Sequence, residues 1–131
     1  MILPFTADRD SGPFFAAARE GRLVYAACEH CGRGSHPPTP FCGYCREPRS
    51  LWRDAAGRGT LHSFTIVSHQ IHPDYPAPHA LVLVTLDDNQ DVRLVGRIDG
   101  EPALEIGQPM EVWFERIAED VVLPQWRPVA V

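Results

Sequence analysis

The chain contains no lysine; all twelve of its basic residues are arginine. That absence excludes Schiff-base lysine chemistry and the lysine of a phosphate-binding P-loop. No segment approaches the run of about 20 apolar residues that a membrane span requires. The opening Met1–Asp8 has no basic stretch followed by a long apolar one, so no export signal is read and a reduced, cytoplasmic setting is expected. There is no nucleophile elbow, no H-E-x-x-H pair and no dinucleotide fingerprint. The histidines, acids and hydroxyls that are present form no motif, and no catalytic residue is assigned.

Cysteine is scarce but concentrated. All four cysteines lie in two C-x-x-C knuckles, Cys28-Glu29-His30-Cys31 and Cys42-Gly43-Tyr44-Cys45, ten residues apart. Two turns carrying two thiolates each form the ligand set of a tetrahedral zinc site, so Cys28, Cys31, Cys42 and Cys45 are the expected metal ligands. A closed sphere of four sulfurs leaves no position for water or substrate, which makes the site structural. Two disulfides are the competing reading, and four thiolates also accept iron. Gly32 after one knuckle and Gly43 inside the other are expected to ease the turns. His30 and His36 are read as solvated knuckle residues, with a ligand or supporting role as the alternative.

At 131 residues with 44% hydrophobic content, the chain can bury a real core. Its charge is uneven. Residues 1–50 hold six Arg against five acids, whereas residues 51–131 hold six Arg against twelve. The second half should therefore repel polyanions, which argues against a nucleic-acid partner.

Ser11 or Gly12 as cap, Pro13 at the first helical position and Gly21 as stop predict a short helix over 13–20. Phe14, Phe15 and Ala18 give it an apolar side that must dock, either on this chain or as a partner surface or ligand channel. Leu23–Ala27 reads as a strand leading into the first knuckle. Pro37, Pro38 and Pro40 stiffen the link between the knuckles.

Beyond the second knuckle the pattern is that of strands. Thr60–Ser68 alternates, with Leu61, Ser63, Thr65 and Val67 on one face and His62, Phe64 and Ile66 on the other. Ala80–Leu86 and Val92–Ile98 follow, the latter with Gly96 as an expected bulge or bend. Met110–Glu115 and Val121–Trp126 complete five strands. With no long helix between them, they predict a mainly β fold: an N-terminal helical segment (1–22), a zinc ribbon (23–50) and a small closed antiparallel OB-type barrel (51–131). The loop His69–His79 carries three histidines, Asp74 and Tyr75. It reads as an ordinary barrel loop, an arm reaching a partner, or a second metal or catalytic site.

The order of these parts resembles the domain of unknown function 35 (DUF35) family, zinc-ribbon and OB-fold proteins that accompany thiolase-like enzymes. The likeness runs through Pro13-Phe14-Phe15, Glu20-Gly21-Arg22-Leu23, Cys28-x-x-Cys31-Gly32, His36-Pro37-Pro38, Cys42-x-x-Cys45 and Gly57–Thr65. It continues through Ile106–Val112 and Leu123–Pro128. Arg46 departs from it, since many members have glycine after the last cysteine. The resemblance implies a zinc-containing accessory subunit bound to a thiolase-like protein that carries the catalytic residues. The complex would act on a CoA thioester, by retro-aldol cleavage of a β-hydroxyacyl-CoA with a steroid-like side chain or, alternatively, by acyl transfer or a thiolase-type reaction. In that setting Phe14 and Phe15 are candidates to line an apolar passage for the acyl or pantetheine part. Arg19, Arg22, Arg33 and Arg58 are candidates for the CoA phosphates. A single-strand nucleic-acid binder is the reading from another class.

Overall fold

The computed structural model describes residues 3–49 and 51–130. It contains one helix, α1 (Gly12–Arg19), and eight strands: β1 (Val24–Ala27), β2 (Gly34–Ser35), β3 (Leu51–Asp54), β4 (Arg58–Val67), β5 (His79–Leu86), β6 (Arg93–Asp99), β7 (Pro109–Ala118) and β8 (Val121–Pro128).

Helix α1 begins at Gly12, one residue before the expected start. Its cap, Ser11, makes no side-chain bond into the helix; its hydroxyl instead donates to the Asp8 carboxylate at 3.2 Å. The end is a Schellman turn. The Gly21 N–H donates to the Ala18 carbonyl at 3.0 Å and the Arg22 N–H to the Ala17 carbonyl at 2.9 Å, with Gly21 at φ 73°. The buried side of α1, formed by Phe14, Ala17 and Ala18, docks on β8 and β1. Its apolar face is thus largely spent on this chain.

The ribbon sheet has the order β2-β1-β3, and all four residues of β1 are buried. β3 pairs with β1 from Val24↔Asp54 to Ala27↔Leu51, so residues 51–54 hydrogen-bond within the ribbon sheet although the division drawn at residue 50 assigns them to the barrel.

The second sheet has the antiparallel order β6-β5-β4-β7-β8 and curls into the OB-type barrel. Closure differs from expectation. Among the described residues no ladder joins β6 to β8. The Arg97 N–H instead donates to the Gln125 side-chain carbonyl at 2.8 Å, and the Gln125 amide donates to Glu115 at 3.0 Å. Gly96 is likewise no bulge, because β5 and β6 pair without a break from His79↔Asp99 to Thr85↔Arg93. Its role is clearance: a Cβ there would stand 3.1 Å from both Cδ1 and the backbone N of Trp126.

The alternation expected along β4 also changes phase. Leu61 opposes Val84 and Ser63 opposes Leu83, so His62 is an extra residue in the ladder. Gly59 and Leu61 point inward before this bulge, and Phe64 and Ile66 take the inner face after it, leaving Ser63 and Thr65 exposed. One continuous core joins the parts: Phe14, Leu23, Tyr25 and Ala27 pack in the same cluster as Leu61, Val82, Val84, Leu86, Met110 and the fully buried Trp126. No described helix is long and apolar enough to cross a membrane.

Candidate metal centre and adjoining cleft

The two knuckles have the same backbone. In the first, the Gly32 N–H donates to the Cys28 carbonyl at 2.7 Å and the Cys28 N–H to the Arg33 carbonyl at 2.9 Å. In the second, the Arg46 N–H donates to the Cys42 carbonyl at 3.0 Å and the Cys42 N–H to the Glu47 carbonyl at 2.8 Å. Each turn closes on a left-handed residue directly after its second cysteine, Gly32 at φ 79° and Arg46 at φ 66°. The backbone demand therefore falls on positions 32 and 46. Gly43, expected to ease the second turn, lies outside the left-handed region.

This arrangement brings all four sulfurs within 4.8 Å of one another, with Cys28 to Cys45 and Cys31 to Cys42 both at 3.5 Å. The cysteines are free, and 3.5 Å is far beyond the about 2.05 Å of a disulfide. It is close to the about 3.8 Å edge of a tetrahedron with metal–sulfur bonds of about 2.3 Å. The donor set thus fits a structural zinc ion. The Cys31 N–H lowers the Cys28 thiol, and the N–H groups of Cys45 and Tyr44 bring the Cys42 thiol down to about 5. The Glu47 N–H also acts to lower Cys45, but burial and the three neighbouring sulfurs push it up to about 12. In each knuckle one thiol is thus lowered and the other raised, and metal binding, which needs all four as thiolates, displaces the protons that remain.

Neither knuckle histidine joins the cysteines as a ligand. His30 is exposed. His36, read as a solvated residue, is instead largely enclosed against Phe14, with ring centroids 5.0 Å apart, and burial lowers its pKa below 6.5. It lines an apolar cleft of about 300 Å³ together with Phe14, Phe15, Tyr75, Leu81 and Val95. Phe14 and Phe15 meet edge to face at 5.3 Å; Phe14 is mostly sunk in the core, whereas Phe15 is half-buried at the cleft.

The structure gives each candidate arginine its own internal contact and does not gather the four. Arg22 bonds Asp54 at 2.8 Å, and Arg33 forks onto Asp91 with two bonds of 2.9 Å while stacking 3.7 Å over the Tyr44 ring. Arg58 approaches Glu111 at 3.7 Å. Arg19 reaches only the Asp120 carbonyl at 3.5 Å and has no carboxylate partner among the described residues.

The loop histidines are dispersed too. His79 is buried, its Nδ1 donating to the Pro76 carbonyl at 3.0 Å, while His72 Nδ1 accepts from the Asp74 N–H at 3.1 Å and His69 is exposed. Among the described residues, the four cysteines are the one group placed to hold a metal. What the loop contributes is Tyr75, which reaches the cleft and lies 5.7 Å from the Arg97 guanidinium. His36 and Tyr75 were thus missed as cleft residues. A proline-rich loop gives no sequence periodicity from which its fold-back could be read.

Residues 15–49 match the family described as the ChsH2 rubredoxin-like zinc ribbon domain, and residues 52–115 match the ChsH2 C-terminal OB-fold domain. A solved structure described as the "Ltp2-ChsH2(DUF35) aldolase" superposes with a TM-score of 0.82 at 31% identity, covering 95% of this chain and 98% of that one. The chain belongs to the DUF35 family. A DUF35 protein of unknown function from Sulfolobus solfataricus shares the fold, with a TM-score of 0.62 at 17% identity over 78% of this chain and 75% of its own. A curated relative from Thermomonospora curvata, named "Probable enoyl-CoA hydratase alpha subunit", is 35% identical over 124 residues. That alignment takes in 92% of this chain, which spans 38% of the relative's length. Arg46 takes in its turn the left-handed conformation that Gly32 takes in the first, one that suits glycine better than arginine.

Proposed function

We propose that this DUF35 protein is a non-catalytic, zinc-containing accessory subunit of an acyl-CoA enzyme, bound to a thiolase-like partner that carries out the chemistry. The observation that carries the reading is the apolar cleft at Phe15 and His36, which runs out onto an uncovered apolar strip. Leu81 and Val95, on the outer face of β5 and β6, are 37% and 61% exposed beside it. The outer face of an antiparallel sheet is normally polar, and an apolar strip there favours a protein partner. The names of the similar aldolase and hydratase subunit favour acyl-CoA chemistry in the assembly.

In this reading Phe14 and Phe15 border the entrance for the acyl or pantetheine part of the thioester. Arg19, Arg22, Arg33 and Arg58 are the proposed phosphate contacts. Arg19 is the best placed of them, because a phosphate there displaces no carboxylate. The ribbon holds the cleft wall rigid, since His36 follows the first knuckle directly through β2.

The preferred reaction of the complex is retro-aldol cleavage of a β-hydroxyacyl-CoA with a steroid-like side chain. Mass spectrometry of the products of the reconstituted complex distinguishes the possibilities. Retro-aldol cleavage releases a carbonyl compound and a shortened acyl-CoA and consumes no free CoA. Thiolysis or acyl transfer would consume free CoA or a second acceptor and yield no aldehyde or ketone. If omission of this subunit leaves the partner's rate and substrate affinity unchanged, the accessory role is wrong.

A further inference from the structure

Arg49 is only 8% exposed, and its Nε and both terminal nitrogens are sealed from solvent without a hydrogen-bond partner among the described residues. An isolated buried charge is strongly unfavourable, so a guanidinium in this state needs a counter-charge. The neighbouring carboxylate, Asp91, is already forked by Arg33 at 2.9 Å. A cavity of about 430 Å³ adjoins Arg49, lined in part by Arg9, Asp10, Phe41 and Trp52, but the Arg49 nitrogens are closed to solvent.

Its backbone fixes where the side chain sits. Arg49 closes the base of the hairpin that carries the second knuckle: its N–H donates to the Pro40 carbonyl at 2.8 Å, Phe41 bridges Pro48, and the Cys42 N–H donates to Glu47 at 2.8 Å. With Phe41 opposite Pro48, Arg49 and Cys42 share one face of this hairpin, so the guanidinium is buried on the side of the Cys42 sulfur, the buried ligand of that knuckle. Four thiolates around a divalent ion leave a net charge of about −2. Burial of such an anionic centre and burial of an unpartnered cation against one of its sulfurs compensate each other.

We infer that Arg49 is the counter-charge of the metal–thiolate centre, a supporting residue that neutralises the sulfur of Cys42 and thereby sets metal affinity. Arginine suits this position because its planar fork tolerates burial and stays charged. Groups that support metal ligands in this way typically contribute about 10–100-fold to metal affinity.

The test compares wild type with Arg49→Met, which keeps the bulk without the charge, and Arg49→Lys, which keeps the charge without the fork. Zinc affinity is measured by competition with a chromophoric chelator. The thiolate-to-metal charge-transfer band is recorded on the cobalt-loaded proteins, with far-UV circular dichroism as the check on folding. The expected result is an affinity about 10–100-fold weaker in Arg49→Met, intermediate in Arg49→Lys, with the band moved to lower energy as the sulfur loses its positive neighbour. Wild-type affinity and an unmoved band in Arg49→Met would overturn the inference. Loss of inorganic-phosphate binding in that variant, with zinc affinity retained, would make Arg49 part of an anion pocket instead. If Arg49→Met does not fold, Arg49→Lys decides: affinity and band identical to wild type overturn the inference, and a weakened affinity with a shifted band supports it.

Discussion

Arg46 and Gly32 occupy the same place in two turns with matching hydrogen bonds, each directly after the second cysteine of its knuckle and each with a left-handed backbone, φ 66° and φ 79°. Glycine takes this conformation freely and arginine does not. Relief of the left-handed penalty, about 1–2 kcal/mol, is offset by about 0.5–1 kcal/mol of extra backbone entropy in the unfolded glycine chain. Arg46→Gly should therefore raise stability by about 0.5–1 kcal/mol. Thermal melts of the zinc-loaded proteins check this, and a lower midpoint for Arg46→Gly would contradict it.

Gly96→Ala should lose about 1–3 kcal/mol, the usual cost of forcing a methyl group into a packed site. The new Cβ would lie 3.1 Å from the Trp126 ring and from its backbone N, where β8 crosses β6. Denaturant unfolding followed by tryptophan fluorescence measures the loss. An unchanged midpoint would show that the barrel seam can give way there.

The ribbon was legible in sequence because its constraint is local: four cysteines at fixed spacing permit few geometries, and the duplicated knuckle backbone follows from them. The five barrel strands were legible as runs of apolar alternation. What alternation did not reveal was its own interruption. Leu61 and Ser63 read as one face, but Leu61 is followed by Phe64 and Ile66, a spacing of three that marks the phase change at His62. Gly96 was flagged by its residue type, but its reason is a strand 30 positions away, and no local pattern encodes that. The burial of Arg49 and the place of His36 against Phe14 depend on tertiary packing alone. A histidine beside prolines after a knuckle looks solvent-facing until the helix that covers it is in view.

His36 gives the fold a pH dependence of definite sign. Burial holds its pKa below the ordinary 6.5, so the folded state prefers the neutral ring. Its contribution to stability is fully present above an unfolded pKa of about 6.5 and is lost as pH falls from there through the lowered folded value. Asp91, lowered by Arg33, contributes in a separate window that begins only as pH falls toward 3.8. An imidazole NMR titration should find His36 below 6.5, and His36→Phe should flatten the melting temperature between about pH 7 and 5. A His36 ring titrating above 6.5 would contradict the enclosed placement.

Metal removal should unfold the ribbon and loosen what packs on it. Phe14, Tyr25 and Ala27 share one core with the barrel, so the loss should be felt beyond the knuckles. One zinc per chain is expected by elemental analysis of the purified protein, and Cys28→Ser or Cys42→Ser should give metal-poor, poorly soluble protein. A soluble Cys28→Ser variant with wild-type circular dichroism and no metal would show that the ribbon folds without its ion.

The most direct measurement is mild affinity purification of the tagged protein from its native cells, with mass spectrometry and stoichiometry of what accompanies it, run in parallel on Val95→Arg. Val95 is 61% exposed, so the substitution should change stability by no more than about 0.5 kcal/mol. The expected result is a thiolase-like protein recovered in stoichiometric amount with wild type and depleted with Val95→Arg. Recovery of wild type alone, or with nucleic acid that is lost steeply as salt rises, would contradict the accessory-subunit reading.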